Sequence, residues 1–143
     1  MVISGSGPGI MEASNKGAGR EGSFGVNIRL PFEQIPNKYI DGDSKLINFK
    51  YFYTRKLIFI KESDATVLFP GGFGTHDEGF ETITLLQTGK CRPRPVLCVA
   101  PKADRYWRQW YSFVKVLLKR DFILKEDLKL FKIVSSAEDA ADE

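Results

Sequence analysis

The segment Pro70-Gly71-Gly72-Phe73-Gly74-Thr75-His76-Asp77-Glu78 holds the residue types best suited to chemistry. It follows an apolar run and opens a helical pattern, so its glycines remove side chains where the backbone would face a ligand. Successive N–H groups of Gly71, Gly72 and Gly74, with the Thr75 hydroxyl, can then hold a phosphate at the positive end of a helix dipole. The turn lacks the lysine of a P-loop, which sets aside kinase and ATPase chemistry. A phosphate held without that lysine or an acidic metal cluster points to recognition of a monophosphate, not transfer of its phosphoryl group. Glu78 admits two readings. With Thr75 it forms the T-x-x-E pattern of a capping box, or its carboxylate acts beside the phosphate cradle, near where a ribose must lie. His76, the single histidine, is a candidate general acid.

A second glycine-rich turn, Gly5-Ser6-Gly7-Pro8-Gly9, joins the end of a short strand to a helical segment. Gly7 and Gly9 let the backbone approach a ligand there, and the helix that follows points N–H groups at any anion. The bland reading is a tight turn that only lets helix and strand pack. It is not a dinucleotide fingerprint. The third glycine of G-x-G-x-x-G would fall at Ile10, and Asn27 and Arg29 stand where a ribose-binding carboxylate would end the next strand. Glu12 lies on the helix after this turn, directed either to the crevice at the carboxyl ends of the strands or to solvent. Arg55 and Lys56 open a further helical segment. Arg55 can clamp phosphate with its bidentate fork, or stand exposed at a helix start where the dipole slightly disfavours it.

These residues need elements to place them, and the pattern of short apolar runs alternating with helical segments is that of a parallel sheet with crossover helices. The fold class read from it is α/β. Strands are predicted at residues 2–3, 23–30, 46–53, 65–69, 95–99 and 131–134, the last closing the chain. Phe24, Val26, Ile28 and Leu30 alternate on one face of the second until Pro31 stops it. Helices are predicted at 8–17, ended by the glycines at 17, 19 and 22, and at 55–62, 75–88 and 106–120. Trp107, Trp110, Tyr111, Val114, Leu117 and Leu118 form one stripe of the last helix, the face expected to pack on the sheet.

The composition narrows the partners. A formal net charge of +3, with basic and acidic residues mixed along the 143 residues, permits anionic ligands without indicating nucleic acid. Cys91 and Cys98 match neither a disulfide framework nor a metal-ligand spacing, which suits a reducing compartment. The opening residues lack the basic start of a signal peptide, and no apolar run approaches the ~20 residues of a membrane span. The expectation is a cytoplasmic protein without membrane or nucleic-acid partners.

Taken together, these residues resemble the LOG-like proteins, cytokinin riboside 5'-monophosphate phosphoribohydrolases that have also carried the label possible lysine decarboxylase. Pro70 to Glu78 matches the signature P-G-G-x-G-T-x-x-E, and Arg55-Lys56 matches the R-K pair ahead of it. The opening GSGPGIMEASNKGA resembles the family's G-G-G-P-G-I-M-E-A, with Ser6 departing from glycine. PFEQIPNKYID, Gln87-Thr88-Gly89-Lys90 and the strand at Pro95 look like the longer members. The resemblance implies a single Rossmann-like nucleotide-binding domain over residues 1–143, a homodimer, and hydrolysis of a purine or cytokinin nucleoside 5'-monophosphate to free base and ribose 5-phosphate. It implies no cofactor and no metal. Arg55 and Glu78 carry over as the catalytic pair, with Gly71, Gly72, Gly74, Thr75, Gly7, Gly9, Glu12 and Lys56 at the substrate. The chemistry fits a carboxylate, which can stabilise an oxocarbenium-like state while it orients or deprotonates water. Nothing in the sequence resembles the Schiff-base lysine motif that a pyridoxal phosphate decarboxylase needs. Family members carry βα structure ahead of the segment that opens this sequence. The expectation is an N-terminally incomplete sheet, from either a truncated or misassigned start or a reduced relative that binds nucleotide without turning it over.

Overall fold

A computed structural model describes residues 1–30 and 35–143. They divide into two compact units, Met1–Ser63 and Asp64–Glu143. Each unit contains one three-stranded parallel sheet. Parallel neighbours cannot be joined by a tight hairpin and need a crossover, which is what the alternating pattern predicted. The class is α/β of the Rossmann-like kind.

In the first unit β1 (Val2–Ser4), β2 (Ser23–Ile28) and β3 (Leu46–Phe49) pair in that order, with Val2 opposite Ser23 and Gly25 opposite Leu46. Helix α1 (Ile10–Gly22) is the crossover between the first two strands. It runs beyond Gly17, where it was expected to stop, and breaks instead at Gly19 with φ 68° and ψ 170°. The Ser23 hydroxyl donates to the Gly19 carbonyl and gives the break a partner. Strand β2 does not alternate as predicted, because every residue from Gly25 to Ile28 is buried. A strand flanked on both edges and covered on both faces has no solvent side to mark with polar residues. The predicted stop at Pro31 lies outside the described residues.

The run 46–53 was expected to be one strand. It ends at Phe49, and α2 (Phe52–Lys61) begins within the aromatic stretch. The Thr54 hydroxyl turns back to the Tyr51 carbonyl (2.8 Å), and Tyr51 stacks on Tyr53 at 5.7 Å. Aromatic residues favour strands only where they find a pleated, half-buried surface, and Tyr51, Phe52 and Tyr53 are all exposed.

In the second unit β4 (Thr66–Leu68), β5 (Val96–Val99) and β6 (Lys132–Val134) pair in order, with α3 (Phe73–Gln87) and α4 (Tyr106–Lys119) between them. Strand β5 is buried throughout. On one side Leu68, Val96, Cys98 and Ala100 form a core with Trp107, and Ile83, Leu86, Trp110 and Phe131 pack against it. The predicted stripe of α4 is its packed face: Trp107 and Val114 are buried, and Trp110, Tyr111, Leu117 and Leu118 are half-buried. Trp107 also donates its indole N–H to the Val99 carbonyl at 3.1 Å. Burial pushes the Cys98 thiol up to about 12, so it stays protonated at neutral pH.

On the other side of β5, Leu97, Val99 and Val134 form a second cluster with Phe69 and Ala140. Ala140 belongs to α5 (Ala137–Ala141), so the chain does not close on a strand as expected. A helix of five residues is too short to show a hydrophobic period, though the Ser136 hydroxyl caps it by accepting from the Asp139 N–H at 3.0 Å.

Candidate functional site

The first glycine turn, between β1 and α1, is buried from Gly5 to Gly7. Ser6 has φ 64°, a left-handed conformation that glycine adopts freely and serine does not. That is the physical reason for glycine at this position in the pattern quoted above. An amide cluster holds Ser6 there. Asn37 Nδ2 spreads its two protons over the Ser6 and Gly7 carbonyls, both at 3.1 Å, and Asn15 Oδ1 at 2.9 Å. The Asn37 N–H donates to the Ser6 carbonyl at 2.8 Å. The Ser4 hydroxyl donates to Asn15 Oδ1 at 2.8 Å and accepts from the Ser6 N–H at 3.1 Å. Ser4, Ser6, Asn15 and Asn37 are all buried, where an unmade hydrogen bond costs about 1–3 kcal/mol. Sequence reasoning missed Ser4, Asn15 and Asn37. The available signal was that Asn15 and Asn37 both lie in segments quoted for the family resemblance, GSGPGIMEASNKGA and PFEQIPNKYID.

Arg55 lies half-buried in the first turn of α2, its guanidinium 5.5 Å from the Phe52 ring and 5.6 Å from the Phe59 ring. A Cβ on Gly5 would stand 3.9 Å from Arg55 Nη1 and 2.9 Å from Met11 Sδ. The cation thus sits beside the first glycine turn, not out in solvent at a helix start. Lys56 is half-buried next to it. Glu12 is half-buried in the first turn of α1, where a carboxylate meets the positive end of the dipole. Gly9, with φ 71°, is the N-cap of that helix, and no side chain caps it.

In the second unit the turn at Pro70 to Gly74 leads from β4 into α3. The N-cap is Gly72, again without a side-chain cap, and Thr75 is the third residue of the helix. The capping-box reading of Thr75 and Glu78 therefore fails, because the box needs Thr75 outside the helix as its cap. The first N–H groups of α3 have no intrahelical acceptor and the N-cap glycine offers them no side chain, and Gly71, Gly72, Phe73 and Gly74 are exposed. A Cβ on Gly71 would overlap the Thr75 side chain, and one on Gly79 would come within 2.8 Å of Leu68 Cδ1. Glycine at 71 lets the turn fold onto Thr75. Glycine at 79 lets α3 lie close on β4, fixing the helix one residue after the half-buried Glu78.

His76 is not left to act alone. Its Nε2 is 2.7 Å from the Tyr106 hydroxyl, and its ring stacks on Tyr106 at 5.8 Å and meets Trp107 edge-on at 6.1 Å. The same hydroxyl donates to the Gly71 carbonyl. Tyr106 had no sequence signal beyond its place at a predicted helix start. Among the described residues no group of three or more His, Cys, Asp or Glu could hold a metal ion. No described helix is long and apolar enough to cross a membrane.

Parallel strands joined through glycine turns to helices with uncapped, glycine-led N-termini define a Rossmann-like α/β protein with two anion-ready turns. The chain belongs to the LOG family, whose family model, described as possible lysine decarboxylase, matches residues 10–143. No curated protein gives a match.

Proposed function

We propose that this protein hydrolyses the N-glycosidic bond of a purine or cytokinin nucleoside 5'-monophosphate, giving free base and ribose 5-phosphate. The observation that carries the reading is the exposed turn at Pro70 to Gly74, which opens α3 through a glycine N-cap that has no side chain of its own to cap the helix. Such a terminus is made for a phosphate monoester, and the Thr75 hydroxyl is near enough in sequence to add a further donor. Glu78 then serves as the carboxylate that takes a proton from water as its oxygen bonds to C1' and the bond from C1' to the base nitrogen breaks. The departing base takes up a proton. Arg55, held beside Gly5, clamps an anionic group of the substrate, with Gly7, Gly9, Glu12 and Lys56 lining the remainder.

Decarboxylation of lysine has less support, since the glycine turns and Glu78 answer a phosphate and a glycosidic bond, not a Schiff base. The family resemblance extends the reading to a homodimer, which light scattering on the purified protein measures directly.

The test is release of base from AMP and from N6-isopentenyl AMP. Wild type is expected to release base, and Glu78→Gln and Arg55→Ala each to lose activity by a factor on the order of a hundred or more. AMP that binds the folded wild type but yields no base would replace the hydrolase with a nucleotide-binding module.

A further inference from the structure

The hydroxyl of Tyr106 carries one proton and touches two groups, and the chemistry of those groups decides how it is used. Gly71 offers a carbonyl, which can only accept, so the hydroxyl donates there. Its lone pair is left for His76 Nε2, 2.7 Å away, which must therefore carry a hydrogen. One side chain at the start of α4 thus ties the glycine turn to the first turn of α3. The ring has little freedom to leave. It stacks on His76, meets Trp107 edge-on at 4.8 Å, and follows Asp104, whose carboxylate accepts the Tyr106 N–H at 2.8 Å.

The Gly71 carbonyl belongs to the same planar peptide as the Gly72 N–H, and the described chain contains no cis bond. In a trans peptide the two groups point in opposite directions. Holding the carbonyl toward Tyr106 turns the Gly72 N–H away from it. In a turn made of glycines the backbone alone would not fix that choice, because Gly71 and Gly72 can rotate more freely than any other pair.

We propose that Tyr106 is a positioning residue for phosphate recognition, orienting the Gly72 N–H as a donor, and that His76 serves by holding the Tyr106 hydroxyl rather than as a general acid. This rests on the reading of the Pro70 to Gly74 turn as the phosphate cradle. It assigns the pair to binding of the phosphate and not to cleavage of the glycosidic bond.

The experiment measures Kd for AMP and for inorganic phosphate by calorimetry, and KM and kcat for base release, on wild type, Tyr106→Phe, His76→Phe and His76→Gln. Phenylalanine at 106 keeps the ring packing and removes only the hydroxyl. It is expected to weaken AMP and inorganic phosphate by the same factor, about tenfold, and to raise KM with kcat nearly unchanged. Phenylalanine at 76 should behave alike, and glutamine, which returns an N–H donor, should restore much of the loss. Unchanged phosphate affinity in Tyr106→Phe, or a loss for AMP that spares inorganic phosphate, overturns the proposal. A collapse of kcat alone in His76→Phe also overturns it, in favour of a general acid. If wild type binds AMP without releasing base, the hydrolase reading falls while the same affinities still decide the role of Tyr106. If wild type binds neither AMP nor phosphate, both fall together.

Discussion

At the scale of single residues, the two turns use their non-glycine positions differently. Ser6 stands in a left-handed conformation that costs an L-residue about 1–2 kcal/mol, and its hydroxyl is fully buried with no hydrogen-bond partner among the described residues. The backbone bonds from Asn37 and Ser4 hold it there, and none of them uses the Ser6 side chain except for its volume. Ser6→Gly should therefore raise stability by about 1 kcal/mol, after the greater freedom of glycine in the unfolded chain is set against the relieved strain. Thermal melts of the two proteins check this. A lower Tm for Ser6→Gly would show that the packing of that hydroxyl beside Gly25 outweighs the strain.

At the scale of elements, the stretch at 37–45 ahead of β3 is held by charge as well as by amides. Asp43 accepts from the Lys45 N–H and from its ammonium, both at 2.9 Å, and pairs with Arg20 of α1 at 3.0 Å. The Lys45 backbone N–H foremost, then the Lys45 and Arg20 charges, hold its carboxyl below the ordinary value although partial burial opposes them. A carboxyl lowered in this way contributes stability that is present above the ordinary carboxylate value and is lost as pH falls through the lowered one. Asp43→Asn should accordingly melt at a lower temperature than wild type at pH 7, with the gap narrowing below about pH 4. A gap that stays constant down to the acid limit would assign the effect to the amide's shape, not to ionisation. The glycine turns at the helix starts follow a similar logic, since neither α1 nor α3 supplies its own cap. Each leaves N–H groups that water or a ligand must satisfy.

At the scale of the whole molecule, the two residues proposed for catalysis belong to different compact units, Arg55 to the first and Glu78 to the second. Neither is fully buried, so substituting them should leave the melting temperature within a few degrees of wild type. If they act on one step, the double variant Arg55→Ala with Glu78→Gln should lose little more activity than the worse single variant. Losses that multiply would mean that the two act independently, one on binding and one on bond cleavage.

The sequence by itself determined the α/β class, the positions of both glycine turns and the packed stripe of α4, because each leaves a local trace. A parallel sheet needs crossovers, a close backbone needs glycine, and a packed helix face repeats every three to four residues. Only the tertiary structure decided the rest. It showed that β2 is buried on both faces, which removes the alternation a reader would seek. It ended β3 early and began α2 among aromatics, since strand preference depends on a neighbouring surface that the sequence does not display. It moved the start of α3 to Phe73 and so dissolved the capping box that Thr75 and Glu78 spell out. It also joined Asn15 to Asn37 and Tyr106 to both Gly71 and His76, pairs separated by twenty residues or more. A hydrogen bond between residues so far apart in the chain has no period and no spacing, and it exists only once the fold has brought its two ends together.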